Sequence, residues 1–336
     1  MIIENTLNSL MNFIPEIILF IMSMIVLLAG TFRFSTKYVF HITLLSVVTA
    51  LLLSFQNYAV NASLLFNSSI IKSNVTDFFK YVCYFIFLVQ ILISRNYLVD
   101  KKLASGEFYS LLLFALLGCF VIISSNNLIV LFLGIELSSL SLYSLIALNR
   151  SSIISSEAAI KYFVLSTIAS GIILFGFSYL YGITGSLSIE DIAKYQNLNE
   201  SSNLYLFSYI LVFIGVAFKF AVAPFHMWLP DVYEGSPPPV TNFVASIPKI
   251  AFFVLAYRFL EDNPIINNDN FSKLLLLLGM FSILAGNLFA LAQKKIMRML
   301  AYSGVANAGF IFLGIFLAVN NNFSVAAFYV VSYSIT

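Results

Sequence analysis

Apolar stretches of about 20 residues recur along the whole chain, and they constrain its fold more than any other feature of the sequence. A helix needs about 20 residues to cross a hydrocarbon core of roughly 30 Å. Ten full stretches can be recognised, and an eleventh begins near Phe323. They cover residues 13–31, 38–55, 78–95, 108–124, 127–148, 158–182, 204–223, 238–260, 272–292 and 298–318. The sequence predicts an all-α integral membrane protein, a polytopic bundle of about 11 transmembrane helices.

Several other classes of protein are excluded. The stretches lack the apolar and polar alternation of a membrane β-barrel, and 60% hydrophobic residues against 10% charged ones exclude a soluble domain. The connections are short and contain no Walker or GxGxxG phosphate loop. Cys83 and Cys119 have no CxxC spacing and provide no disulfide or metal framework. The net charge of +2 is dispersed among loops, so we expect a lipid bilayer and no nucleic acid as partner.

The distribution of basic residues predicts the orientation, because cytoplasmic loops retain Lys and Arg. Connections after the first, third, fifth and ninth stretches carry most of them: Arg33, Lys37, Arg95, Lys101, Lys102, Arg150, Lys294, Lys295 and Arg298. Connections after the second, sixth and eighth stretches carry fewer, with acids beside them: Lys72, Lys194, Arg258 and Lys273, with Glu190, Asp191, Glu200, Glu261 and Asp262. The N-terminus is therefore expected outside, which is the periplasm of a bacterium.

Glu136, Lys219 and Lys249 are ionisable residues deep inside apolar stretches. Each costs roughly 2.5 to 3.5 kcal/mol at a helix centre on the insertion scale. Burial disfavours the charged form of a lysine, and a nearby carboxylate opposes that effect, so such a group can hold and release a proton. The sequence indicates transport of ions or protons. Two structural alternatives remain open: the lysines extend to the interface, or Glu136 forms a buried ion pair that locks two helices.

Two prolines lie close to the lysines. Pro224 follows Lys219 by five residues and is expected to break the seventh helix, which leaves room for a hydrated cavity. Pro248 directly precedes Lys249, and we expect a second broken turn there. His226 is either a proton relay or a polar anchor near the interface. Lys161 lies at the mouth of the sixth stretch and is a candidate for a channel entrance.

The motifs APFHMWLPDVYEGSPPPVTNFVASIPKIAFF and GIELSSLSLYSLIAL resemble the antiporter-like membrane subunits of respiratory complex I, and among them the subunit N family. The resemblance implies a proton-translocating subunit of NADH:quinone oxidoreductase built from inverted five-helix repeats. It implies that Glu136 and Lys219 are the acid and lysine of one half-channel and that Lys249 connects the halves. It implies that this chain binds no redox cofactor, and that NADH, FMN, iron–sulfur clusters and quinone bind to other subunits. Subunits M, K and J are the implied neighbours.

The resemblance also implies a division of the chain. Residues 1–107 form three N-terminal helices, residues 108–260 the first repeat, and residues 272–336 the start of a second repeat that is incomplete. We expect an equivalent broken helix beyond Thr336. Asn307 occupies a position where the family often has His or Gln, and because asparagine does not titrate we expect no proton relay through it.

Three further alternatives stay open. For the function, one alternative is a subunit of a multisubunit cation/proton antiporter, and another is a structural scaffold whose charges only hold helices together. For the location, the mitochondrial inner membrane is the alternative to the bacterial inner membrane.

Overall fold

A computed structural model describes residues 9–32, 35–56, 58, 62–149, 151–198, 203–261, 263–318 and 323–336. In these ranges ten helices are long and apolar enough to cross a membrane. They are α1 (Ile14–Thr31), α2 (Thr36–Gln56), α3 (Asn74–Asp100), α4 (Gly106–Ser124), α5 (Leu128–Ile146), α6 (Ile153–Thr184), α8 (Asn203–Phe220), α10 (Pro238–Leu260), α11 (Asp269–Leu291) and α12 (Ile296–Phe316). Each predicted full stretch has one of these helices, so the all-α membrane fold is confirmed.

Shorter elements connect these helices. They are the hairpin strands β1 (Ser63–Leu65) and β2 (Ile70–Lys72), helix α7 (Ile189–Leu198), helix α9 (Trp228–Gly235), a 3-10 turn (Pro264–Asn267) and helix α13 (Ser324–Ile335). Helix α13 corresponds to the predicted eleventh stretch. The hairpin and the connection before α7 pair with the α4–α5 turn, through Ile70 with Ser125 and Asn127 with Ser188. We call this end of the bundle the outer end, after the predicted orientation, and the opposite end the inner end.

The predicted break in the seventh long helix is confirmed. Helix α8 ends at Phe220, a turn follows over residues 221–227, and α9 resumes at Trp228. Proline cannot continue a helix because it has no amide proton and its ring meets the preceding turn. The carbonyl of Phe218 accepts a hydrogen bond from Trp228 Nε1 at 3.0 Å, and the amide of Ala223 donates to Ser282 Oγ of α11 at 2.9 Å. Protein side chains thus satisfy backbone groups that the break exposes.

The expectation of a second broken turn at Pro248 is wrong. Helix α10 runs without interruption from Pro238 to Leu260, with Pro248 inside it. An interior proline removes one helical hydrogen bond, and the turns on either side of this one are buried among neighbouring helices. Packing therefore keeps the helix continuous where the local sequence favours a break.

Helix α10 lies at the centre of the bundle. It packs against α3, α4, α8 and α13, which come from all three segments of the predicted division. The boundaries of that division remain a prediction.

The close approach of α4 and α5 depends on glycine, because a Cβ on Gly118 would lie 2.5 Å from the amide nitrogen of Ser138. This contact sets the position of the polar residues on α5.

Candidate functional site

Lys219 lies in the last turn of α8 with only 6% of its surface exposed. Its Nζ donates to Ser139 Oγ of α5 at 2.8 Å and to Ser166 Oγ of α6 at 2.6 Å. The ammonium therefore points inward between three helices, and the alternative that this lysine extends to the interface is excluded. Two hydroxyl oxygens satisfy a charge that would otherwise be very costly to bury.

Glu136 lies three residues before Ser139 on α5 and is half-buried. Its Oε1 atom is buried and has no hydrogen-bond partner among the described residues. Glu136 and Lys219 form no ion pair within 4.0 Å in this part of the chain. The alternative of a direct buried ion pair between these two residues is therefore excluded. What remains is an acid with a free acceptor atom, near a lysine that two serines hold.

Lys249 is still more buried, with 2% of its surface exposed. Its Nζ donates to the hydroxyl of Tyr333 at 2.9 Å and to the carbonyl of Gly304 at 3.3 Å, and it lies 4.6 Å from the centre of the Tyr333 ring. A Cβ on Gly304 would lie 3.2 Å from the Tyr333 hydroxyl and 3.4 Å from Nζ. Glycine thus gives this lysine room beside the backbone of α12, and neutral groups hold its charge.

His226 and Asn307 both contact residues of α12. The ring of His226, in the turn between α8 and α9, is buried and lies 6.2 Å from Phe289 and 5.9 Å from Tyr302. Aromatic side chains of α11 and α12 thus lie next to this ring, and its roles as a proton relay or as a polar anchor both stay predictions. Asn307 donates to the carbonyl of Ser303 and accepts from the Tyr329 hydroxyl at 2.7 Å. It links α12 to α13.

Lys161 belongs to a network of charges at the inner end. Its Nζ lies 2.7 Å from Glu157 Oε1 and 2.8 Å from Asp231 Oδ2. The Nη1 of Arg298 lies 2.8 Å from Asp231 Oδ1 and 2.9 Å from Glu234 Oε2. Hydrogen bonds from Lys295 and Arg298 hold the pKa of Glu234 below its usual range, so Glu234 stays ionised at neutral pH. The network ties α9, the second half of the broken helix, to α6 and α12. A role for Lys161 at a channel entrance stays a prediction.

The sequence reasoning missed a second buried acid and lysine. Glu16 Oε1 of α1 lies 2.5 Å from Lys80 Nζ of α3, and both side chains are buried. Lys72 and Asp77, which are also buried, shortly precede Lys80 in the sequence. Glu16 falls inside the first apolar stretch, so its position was a usable signal. Lys80 lies near the start of the third stretch, where a lysine at the membrane surface is ordinary.

The comparison with known proteins agrees with the motifs. The family described as NADH:quinone oxidoreductase/Mrp antiporter, transmembrane, matches residues 125–336. The chain belongs to this family. NADH-quinone oxidoreductase subunit N of Nitrosomonas europaea is 39% identical over 322 residues, which cover 95% of this chain and 67% of that protein. The chain thus spans about two thirds of the length of that relative.

Solved structures place the fold within the same family. A chain of respiratory complex I from Thermus thermophilus matches with a TM-score of 0.79 and 31% identity, over 95% of this chain and 67% of that one. A chain of the Mrp complex from Dietzia has a TM-score of 0.82 at 20% identity, over 98% of this chain and 62% of that one, which is a likeness of fold alone. In the described residues no group of three or more His, Cys, Asp or Glu side chains could hold a metal ion.

Proposed function

We propose that this multi-pass membrane protein is a proton-translocating subunit of NADH:quinone oxidoreductase. The observation that carries the proposal is the setting of Lys219: its ammonium is buried against two serine hydroxyls and interacts electrostatically with Glu136, whose Oε1 has no hydrogen-bond partner among the described residues. The family and the relatives named subunit N support it. A membrane-buried lysine of this kind is costly, and such residues commonly mark proton relays.

Ser139 accepts a hydrogen bond from Lys219 and follows Glu136 by three residues on α5, so we infer that its hydroxyl carries a proton between the two charged groups when it comes into contact with the Glu136 carboxylate. A hydroxyl can accept one proton at its oxygen while it donates its own. In the proposed step an Nζ–H bond of Lys219 breaks, the proton passes to Ser139 Oγ, and the former hydroxyl proton of Ser139 moves to the carboxylate of Glu136. The lysine becomes neutral and the glutamate becomes neutral, so the charge of the group is conserved. The reverse transfer reloads Lys219.

Lys249 is the proposed second station. Its partners are a hydroxyl, a carbonyl and an aromatic ring. None of these partners is a carboxylate that would hold the ammonium in an ion pair, and the Tyr333 hydroxyl can both accept and donate a hydrogen bond. Lys249 is thus suited to receive a proton and pass it on. His226, in the turn between α8 and α9, is buried, and its Nδ1 has no hydrogen-bond partner among the described residues; it is a further candidate.

The proposal extends to the surroundings of the chain. Its partners are the other membrane subunits of complex I, with subunits M, K and J as neighbours. NADH, FMN, iron–sulfur clusters and quinone bind to other subunits. The membrane is the inner membrane of a bacterium, with the N-terminus on the periplasmic side. The distribution of basic residues supports this orientation.

The test is Lys219→Met in the assembled complex, reconstituted into vesicles with NADH and quinone. We expect proton translocation to fall by about tenfold or more, since a positioned proton-transfer group commonly contributes a factor of 100 or more. Lys194→Met, at an exposed lysine of α7, is the control and keeps wild-type activity. A scaffold in which charges only hold helices together would tolerate Lys219→Met, so wild-type pumping in that variant would overturn the proposal.

The second candidate is a subunit of a cation/proton antiporter, favoured by the fold likeness to the Mrp complex. Purification with iron–sulfur subunits and NADH-driven pumping support the first function. Sodium–proton exchange without NADH oxidation supports the second.

A further inference from the structure

A cavity of about 460 Å³ opens at the inner end of the three N-terminal helices. The start of α2, the end of α3 and the start of α4 surround it. Its lining includes Lys37, Phe40, Arg95, Asn96, Asp100 and Tyr109. None of these residues belongs to the proposed proton relay.

Three hydrogen-bond donors face this cavity without a protein acceptor. Tyr109 is 1% exposed, and its hydroxyl forms no hydrogen bond with any described residue. Because Tyr109 lines the cavity, its hydroxyl is available to donate a hydrogen bond to a group bound there. The guanidinium of Arg95 lies 4.7 Å over the Phe40 ring, and neither Arg95 nor Lys37 forms an ion pair with a described carboxylate.

The charge of the lining favours an anion. Lys37 and Arg95 contribute two positive charges and Asp100 contributes one negative charge, so the cavity has an excess of one positive charge. The Phe40 ring holds the Arg95 guanidinium in a fixed position through a cation–π contact. An arginine, a lysine and a tyrosine hydroxyl together match the oxygens of a phosphate group.

The position of the cavity identifies the source of the phosphate. Apolar side chains next to it on α2 and α3 are exposed on the bundle surface, among them Tyr38, Ile93 and Val99. Acyl chains can lie along this surface while a headgroup enters the cavity. Basic pockets between helices on the cytoplasmic side are typical sites for anionic lipid headgroups. We propose that this cavity binds the phosphodiester headgroup of an anionic phospholipid, held by Arg95, Lys37 and Tyr109.

The experiment uses the assembled complex, purified in detergent from membranes that contain phosphatidylglycerol and phosphatidylcholine. Native mass spectrometry counts the lipids that remain bound to this subunit. In the double variant Lys37→Gln and Arg95→Gln we expect retained phosphatidylglycerol to fall about tenfold or more, because two charge-assisted hydrogen bonds are lost. Tyr109→Phe keeps the ring and removes only the hydroxyl, and we expect a loss of about threefold.

The matched control removes two other exposed cations at the inner end, Lys102→Gln with Lys294→Gln. It keeps the wild-type amount of phosphatidylglycerol. An equal loss in this control would show a general effect of surface charge and overturn the site. Unchanged retention in the double variant, unchanged retention in Tyr109→Phe, or equal retention of phosphatidylcholine would also overturn it. Inorganic phosphate at about 10 mM would occupy an anion site with a millimolar dissociation constant. Displacement of the lipid at that concentration would overturn the lipid site and indicate a site for free phosphate.

Discussion

Two regions of this protein bury a glutamate and a lysine, and they arrange the pair differently. In the N-terminal helices, Glu16 and Lys80 are in direct contact at 2.5 Å. In the central helices, Lys219 contacts Ser139 and Ser166, and Glu136 makes no ion pair with it within 4.0 Å. The residue types are the same, but only the first pair forms a salt bridge.

The two arrangements differ in whether they are suited to hold helices together or to exchange a proton. A direct buried pair joins the two helices that carry it, because removal of either partner leaves the other charge without its counterion. A lysine held by neutral hydroxyls loses less when it gives up its proton, because a hydroxyl can also donate to a neutral amine. The direct pair is therefore suited to hold α1 against α3. The pair Glu136 and Lys219, which is not in direct contact, is suited to exchange protons.

The largest effect on stability is expected for Lys80→Met. The change leaves Glu16 as a buried charge without its lysine and destabilises the subunit by about 3 to 5 kcal/mol. The double variant Lys80→Met and Glu16→Gln no longer has the uncompensated charge, so we expect it to regain much of the stability that Lys80→Met loses. Thermal unfolding of the complex in detergent, monitored by proteolysis of this subunit, measures both. A Lys80→Met protein as stable as the wild type would show that the pair is not a clamp.

A smaller loss is expected for Ser139→Ala. Lys219 then loses one of its two hydroxyl acceptors, and a hydrogen bond to a charged group contributes about 1.5 to 3 kcal/mol. Proton translocation also falls, because the neutral route to Glu136 is removed. Ser139→Thr retains a hydroxyl and serves as the control in the same vesicle assay. Equal pumping by the alanine and threonine variants would argue against a serine route.

Glu136→Gln separates the two arrangements most clearly. Because Glu136 has no direct charged partner, we expect a change in stability below about 1 kcal/mol, within the range of weak charge interactions. Proton translocation falls severalfold, since glutamine cannot accept the proton. The comparison is with Glu16→Gln, which destabilises without a specific loss of pumping per assembled complex. Similar destabilisation by both changes would remove the distinction between the pairs.

The smallest effect is expected for Tyr333→Phe. Lys249 keeps the aromatic ring and the Gly304 carbonyl and loses one hydroxyl acceptor, a change of about 1 kcal/mol. We expect proton translocation to fall, by less than about threefold. Tyr329→Phe, one turn earlier on α13, removes the hydrogen bond to Asn307 and is expected to keep wild-type translocation in the same vesicle assay. Equal translocation by the two variants would show that Tyr333 does not position Lys249.

Some features of the site were predictable from the sequence and others were not. Pro224 predicts the end of α8, because proline excludes a helical hydrogen bond wherever it lies. Pro248 has the same chemistry and leaves α10 continuous, because surrounding helices hold the turns on either side. The direct Glu16–Lys80 contact joins residues 64 positions apart. No local pattern reports which side chains meet across that distance.

The sequence by itself determined the membrane fold, the number of long helices, the break before α9 and the candidate residues Glu136, Lys219 and Lys249. These follow from the length of apolar runs, the chemistry of proline and the cost of burying charge, which are local properties of the chain. Only the tertiary structure decided that serines hold Lys219, that Tyr333 and Gly304 hold Lys249, and that Glu16 meets Lys80. A lysine side chain reaches several helices, and the packing of those helices decides which partner lies within hydrogen-bond distance.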